Sequence, residues 1–164
     1  MAIRDEILQA NERYASAFAK ADLAVPPARR FAVVTCMDAR LDPARFLGLE
    51  EGDAHVIRNA GGLVTDDALR SLIISHWELG TQEVLVIAHT GCGMQTFTNE
   101  QMRDKLTART GADASAIDFH PFADLEESVR ASVRRVRESP FLPDSFGASG
   151  FVYDVKTGRL NPVD

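Results

Sequence analysis

The chain has 164 residues, 45% of them apolar and 26% charged, with a formal net charge of −6. That is enough chain for one globular unit with its own core, and the acidic excess disfavours nonspecific binding to nucleic acid or anionic membrane. No apolar run approaches the ~20 residues that span a bilayer, and "MAIRDEILQANERY" has acids where a secretory leader needs an apolar core, so the cytoplasm is the expected compartment.

Ile3, Ile7, Tyr14 and Phe18 recur at helical spacing among charges, which predicts a helix over residues 2–20. The paired prolines of "VPPARR" end it. Residues 1–24 are therefore expected to form an arm, packed on its own chain or on a neighbouring subunit, before an α/β core over 31–164. "FAVVTC" is a continuous β-branched run, as in a strand covered on both faces. "DPARFLGL" reads as a short helix with Asp42 as cap and Pro43 in its first turn. "AHVIRN" is the second strand. "TDDALRSLIISHWELG" is a helix capped by Thr65, with Asp66 and Asp67 at its positive end and Gly80 as its stop. "EVLVIAH" is the third strand. A polar, mostly helical stretch follows from about Thr98 to Glu138, interrupted near "GADASAIDFHP". "GFVYDV" and "GRLNPV" close the chain as two strands around a turn at Lys156-Thr157-Gly158.

Strands alternating with helices imply a mainly parallel sheet with right-handed crossovers. Ligands in such sheets bind beyond the carboxyl ends of the strands. Cys36 ends the first strand and His89 the third, and Cys92 follows His89 by three residues in "HTGCGM". Two cysteines without a secretory leader read as reduced thiols, a redox pair or metal ligands. A Cys2His set with no further cysteine to close it is one of the ligand sets of catalytic zinc. Gly91 and Gly93 let the backbone turn tightly around Cys92. His76 reads as a helix residue beside Trp77, and His120 as a loop residue before Pro121.

The charges after Cys36 fit the metal reading better than the redox one. Two thiolates cancel the charge of Zn²⁺, so bound water is acidified less than at a tris-imidazole site. Such a centre gains from a carboxylate that accepts the water's proton in a hydrogen bond. Asp38 is placed for that role, and Arg40 could hold it in a bidentate contact. The competing reading of this pair is a loop salt bridge of little energetic consequence.

"CMDARL", "GDAHVIRNAGG", "DDALRSL" and "HTGCGM", in this order and spacing, resemble the β-class carbonic anhydrases. "GFVYDVKTGRL" resembles that family's last parallel strand and edge hairpin. The likeness runs from about residue 31 to the C-terminus, is most specific between 36 and 93, and points to the compact prokaryotic branch. It implies one zinc per subunit held by Cys36, His89 and Cys92, with Asp38 and Arg40 beside it. It implies a sheet ordered 2-1-3-4 with an antiparallel edge strand, and a homodimer that often pairs into tetramers. The implied reaction is reversible hydration of CO2 to bicarbonate and a proton through a zinc-bound hydroxide, in a pocket at the dimer interface that the Gly93 N–H faces. Carbonyl sulfide or carbon disulfide hydrolysis is the rival activity within the family; a non-catalytic zinc protein and a thiol redox protein are the rivals outside it. In some members the residue matching Asp38 swings onto zinc at low pH.

The chain departs from the family pattern at four places. His55 stands where plant-type members have a phenylalanine from the partner subunit, Ala60 where they have valine, and Gly62 where many have asparagine. Val33 replaces the tryptophan of a subgroup that binds regulatory bicarbonate, although Arg58 matches its arginine. An imidazole suits proton relay near neutral pH, so His55 is the expected candidate for passing the reaction's proton to solvent.

Overall fold

A computed structural model describes residues 2–163. Five strands form one sheet in the order β2-β1-β3-β4-β5. These are β1 (Phe31–Cys36), β2 (Ala54–Asn59), β3 (Glu83–His89), β4 (Gly147–Tyr153) and β5 (Leu160–Val163). The first four pair in parallel, and β5 closes the edge antiparallel against Gly150–Tyr153. The helices are α1 (Ile3–Ser16), α2 (Pro43–Leu47), α3 (Asp66–Trp77), α4 (Asn99–Thr110) and α5 (Leu125–Arg137).

All six residues of β1 are buried, because β2 and β3 cover its two edges and helices cover both its faces. On one face Ala32, Val34, Val84 and Val86 pack with Leu72 of α3 and with Val129, Val133 and Val136 of α5. On the other, Phe31, Val33 and Ile87 meet Phe46 and Leu47 of α2. The one polar side chain of this central strand, Thr35, gives its hydroxyl hydrogen to the Ile87 carbonyl at 2.8 Å, so no donor is stranded in the core. Gly150 keeps α5 seated on β4, since a Cβ there would lie 2.5 Å from Val129 Cγ1.

The caps fall where their chemistry puts them. Asp42 accepts from the Arg45 N–H ahead of Pro43, and Thr65 accepts from the Ala68 N–H ahead of Asp66 and Asp67. Gly80, at φ +73, turns the chain away behind α3. The final turn holds at Gly158, whose N–H reaches the Asp154 carbonyl at 2.8 Å.

Helix α1 stops at Ser16, four residues short of the expected end, and Phe18 lies outside it. None of its residues is buried, so no core contact holds a further turn in place. Its tie to the core is Tyr14 donating to Glu51 at 2.6 Å, with Lys20 beyond it pairing with the same carboxylate at 2.8 Å. Between α4 and α5 the chain is irregular, as the interruption near "GADASAIDFHP" foretold. Among the described residues no helix is long and apolar enough to cross a membrane.

Candidate metal centre

The parallel register sets Cys36 opposite Asn59 and Thr35 opposite Ile87, so Cys36 and His89 come off adjacent strands at the same end of the sheet. Beyond His89 the chain turns through Gly91, at φ +65, and brings Cys92 back to head a single 3-10 turn over Gly93–Gln95. The Sγ atoms of Cys36 and Cys92 and a ring nitrogen of His89 then lie within 4.8 Å of one another, all three residues buried. Leu41, Met94, Phe46, Phe97 and Phe122 close an apolar shell around the thiols.

The tautomer of His89 follows from its neighbour. Nδ1 sits 3.0 Å from the Thr90 carbonyl, which only accepts, so Nδ1 carries the hydrogen and Nε2 the lone pair. Nε2 is fully buried and has no hydrogen-bond partner. A stranded buried acceptor is costly, and this one faces two thiols. The thiols share their protons unequally: hydrogen bonding with Cys92, set against burial, draws the Cys36 thiol well down, and Cys92 is pushed up in return. Burial lowers His89, but the adjoining Cys36, with the Thr90 carbonyl and the Asp38 charge beyond it, raises it by more. An unpartnered imidazole nitrogen and two thiols, one poised to ionise, fit a zinc ion in donor type and number.

Asp38 stands at the rim. Arg40 grips it with two parallel bonds, Nε to Oδ1 at 2.9 Å and Nη2 to Oδ2 at 2.7 Å, and its backbone N–H adds a third at 2.9 Å. These bonds, the guanidinium's first, hold the carboxyl well below the usual carboxylate range, so Asp38 is ionised. Its Oδ2 lies 3.6 Å from His89 Nε2, beside the ligand trio. Arg40 is anchored in turn by the Gly91 carbonyl at 3.0 Å, which ties the first-strand loop to the turn carrying Cys92.

Three further expected site residues sit apart from this group in different ways. Gly93 heads the turn after Cys92, with open space where a side chain would stand. Ala60 is exposed just past β2. His55 lies four residues back along β2, about 13 Å from the strand end at ~3.3 Å per residue, where its Nδ1 meets Ser75 Oγ at 2.7 Å. Ser75 Oγ donates to Thr81 at 2.6 Å. Within one chain, His55 is not brought to the trio.

Two residues named above only as family positions, Gly62 and Arg58, take roles here that the motifs did not show. Gly62, at φ +67, passes directly beneath Cys36: a Cβ would lie 2.7 Å from the Cys36 nitrogen and 3.1 Å from the Ile87 carbonyl oxygen. The glycine pair after β2 was the available signal, since adjacent glycines mark close backbone approach. Arg58 donates to the Cys36 carbonyl at 3.0 Å and to the Asp38 carbonyl at 2.8 Å.

The Carbonic anhydrase family model matches residues 31–160. β-Carbonic anhydrase 1 of Mycobacterium tuberculosis is 47% identical, over 99% of each chain. The chain belongs to the β-carbonic anhydrase family. The crystal structure of carbonic anhydrase from Streptococcus mutans superposes with a TM-score of 0.95 at 48% identity, covering 100% of this chain and 99% of that one. A carbon disulfide hydrolase of Acidithiobacillus thiooxidans is 34% identical, over 85% of this chain and 80% of its own. The sheet order expected from the family resemblance is the order observed.

Placing an alanine at 62 tests the close approach under Cys36. Gly62→Ala should cost roughly 1–3 kcal/mol for the left-handed backbone alone, plus the shift the clash forces, read by urea unfolding. In zinc-loaded protein it should also speed metal loss to a chelator, because the displaced backbone carries Cys36, a candidate ligand. Wild-type stability and zinc retention in this variant would contradict the packing described.

Proposed function

We propose that the chain catalyses reversible hydration of CO2 to bicarbonate and a proton, with zinc held by Cys36, His89 and Cys92. The observation that carries this reading is the trio's convergence, with an unpartnered His89 Nε2, beside an ionised Asp38 locked by Arg40. The likeness to named β-carbonic anhydrases over the full length supports it. When bound, zinc supplies the Lewis acidity that lets water lose its proton near neutral pH. The chain's residues do the rest. Asp38 accepts the hydrogen bond of the attacking water and so aims its lone pair at the carbon; Arg40 keeps Asp38 ionised and fixed in direction. The Gly93 N–H offers a donor to a substrate oxygen, with no side chain to obstruct it, and Ala60 matches the family's pocket valine with a smaller side chain. The product equation balances as CO2 and water giving bicarbonate and one proton, which passes to solvent.

The same machinery would serve hydrolysis of carbon disulfide or carbonyl sulfide, linear analogues of CO2. The 34% identity to a carbon disulfide hydrolase keeps that activity as the second reading. The higher identity to carbonic anhydrase favours CO2.

We further propose a cytoplasmic homodimer, or a pair of dimers. Helix α1 supports it: Ile3, Ile7 and Leu8 are 70%, 60% and 52% exposed in the single chain, a face that association would cover. His55 would then serve the site of a second copy, its ring oriented through Ser75.

Two measurements test these readings. Zinc-loaded protein assayed in parallel should hydrate CO2 rapidly and release sulfide from carbonyl sulfide or carbon disulfide slowly; fast sulfide release without CO2 hydration would reverse the choice of substrate. His55→Ala should slow turnover in weakly buffered solution and recover as buffer is added, whereas unchanged turnover in weak buffer would remove His55 from proton transfer.

A further inference from the structure

Asp38 orients a reaction only if its carboxylate is fixed relative to Cys36, His89 and Cys92. Its clasp with Arg40 does not achieve this alone, because both residues ride on the same short loop after β1. A bond internal to a loop orients one of its side chains against the other, not against the sheet. Bonds leaving the loop must do that, and three groups of them do. The Met37 N–H reaches the Asn59 carbonyl at 2.9 Å. Arg40 Nη2 reaches the Gly91 carbonyl at 3.0 Å. Arg58, near the end of β2, places Nε on the Cys36 carbonyl at 3.0 Å and Nη2 on the Asp38 carbonyl at 2.8 Å.

We infer that Arg58 is the positioning residue for Asp38: its guanidinium, forked across the Cys36 and Asp38 carbonyls, fixes the carboxylate relative to the ligand it follows. The fork is what suits it. A guanidinium is planar with donors at fixed spacing, so one rigid group sets the distance between two carbonyls two residues apart. One of those carbonyls belongs to a metal ligand and the other to the orienting carboxylate residue. The Asp38 carbonyl also accepts the Leu41 N–H at 3.0 Å, so Arg58 grips the loop where it turns. Both of these Arg58 bonds go to main-chain carbonyls, so its hold on the loop acts through the backbone.

This rests on the proposed role of Asp38 in hydration, and the experiment separates the two. Zinc-loaded wild type, Arg58→Ala and Arg58→Lys are compared by hydrogen exchange of the peptide spanning residues 36–41 and by steady-state CO2 hydration. In Arg58→Ala, exchange at Met37 to Leu41 should accelerate. Its kcat should fall on the order of 10–100-fold, the usual consequence of losing a group that orients a metal site from outside, with KM little changed. Millimolar guanidinium should restore part of that kcat. Arg58→Lys should fall between, because an ammonium reaches one carbonyl and not both. Unchanged exchange in Arg58→Ala overturns the inference, whatever the activity. If Arg58→Ala does not fold, Arg58→Lys decides, and wild-type exchange and kcat there overturn it. Accelerated exchange in a protein whose wild type hydrates no CO2 would sink the proposed activity while leaving the positioning role standing.

Discussion

Two thiols and an imidazole buried together at the end of a parallel sheet set the terms for everything around them. The groups cannot all be satisfied by one another: one thiol is drawn toward ionisation, its neighbour is pushed the other way, and the imidazole keeps an acceptor with no donor. Burying such a set is unfavourable unless a cation sits among them. The fold places the three residues with its most rigid parts. Cys36 and His89 end the two central strands, and Cys92 follows after a glycine turn, so the ligand spacing is inherited from strand register.

From that constraint the outer layers follow. Two thiolates would weaken the acidifying power of a bound metal, so the proposed reaction calls for a carboxylate at the rim, and a cation beside it keeps that carboxylate charged and aimed. Arg40 is that cation, exposed enough to be hydrated yet tied by the Gly91 carbonyl to the turn bearing Cys92. Arg58 adds the brace from β2. Backbone carbonyls of Cys36, Asp38, Thr90 and Gly91 all serve as anchors, so the polar frame of the site is largely main chain held by side chains.

The placement of Cys36, His89 and Cys92 together, and of the Asp38–Arg40 pair beside them, was legible in the sequence because each lies within a few residues of a strand end, and strands announce themselves by unbroken β-branched runs. The caps at Asp42 and Thr65 were legible for a similar reason, since capping chemistry is local. Arg58 and Gly62 stood out in the sequence only as family positions, and their contacts with the Cys36 backbone were not legible. One acts on carbonyls, which every residue has, and the other by lacking a Cβ under Cys36; neither contributes a side-chain pattern. His55 shows the opposite difficulty. Its type suits proton transfer, but its place early in β2 depends on register, and within one chain that register sets it back toward Ser75. Helix α1 ends before its sequence pattern does, because helical spacing persists where no core is present to hold the last turn.

If the buried trio is a zinc site left open for water, X-ray absorption at the zinc edge, on protein purified without added metal, should show one zinc per chain. It should have two sulfur ligands, one imidazole nitrogen and a fourth light-atom ligand. Substoichiometric metal, with Cys36 and Cys92 recovered as free thiols or as a disulfide, would contradict this reading.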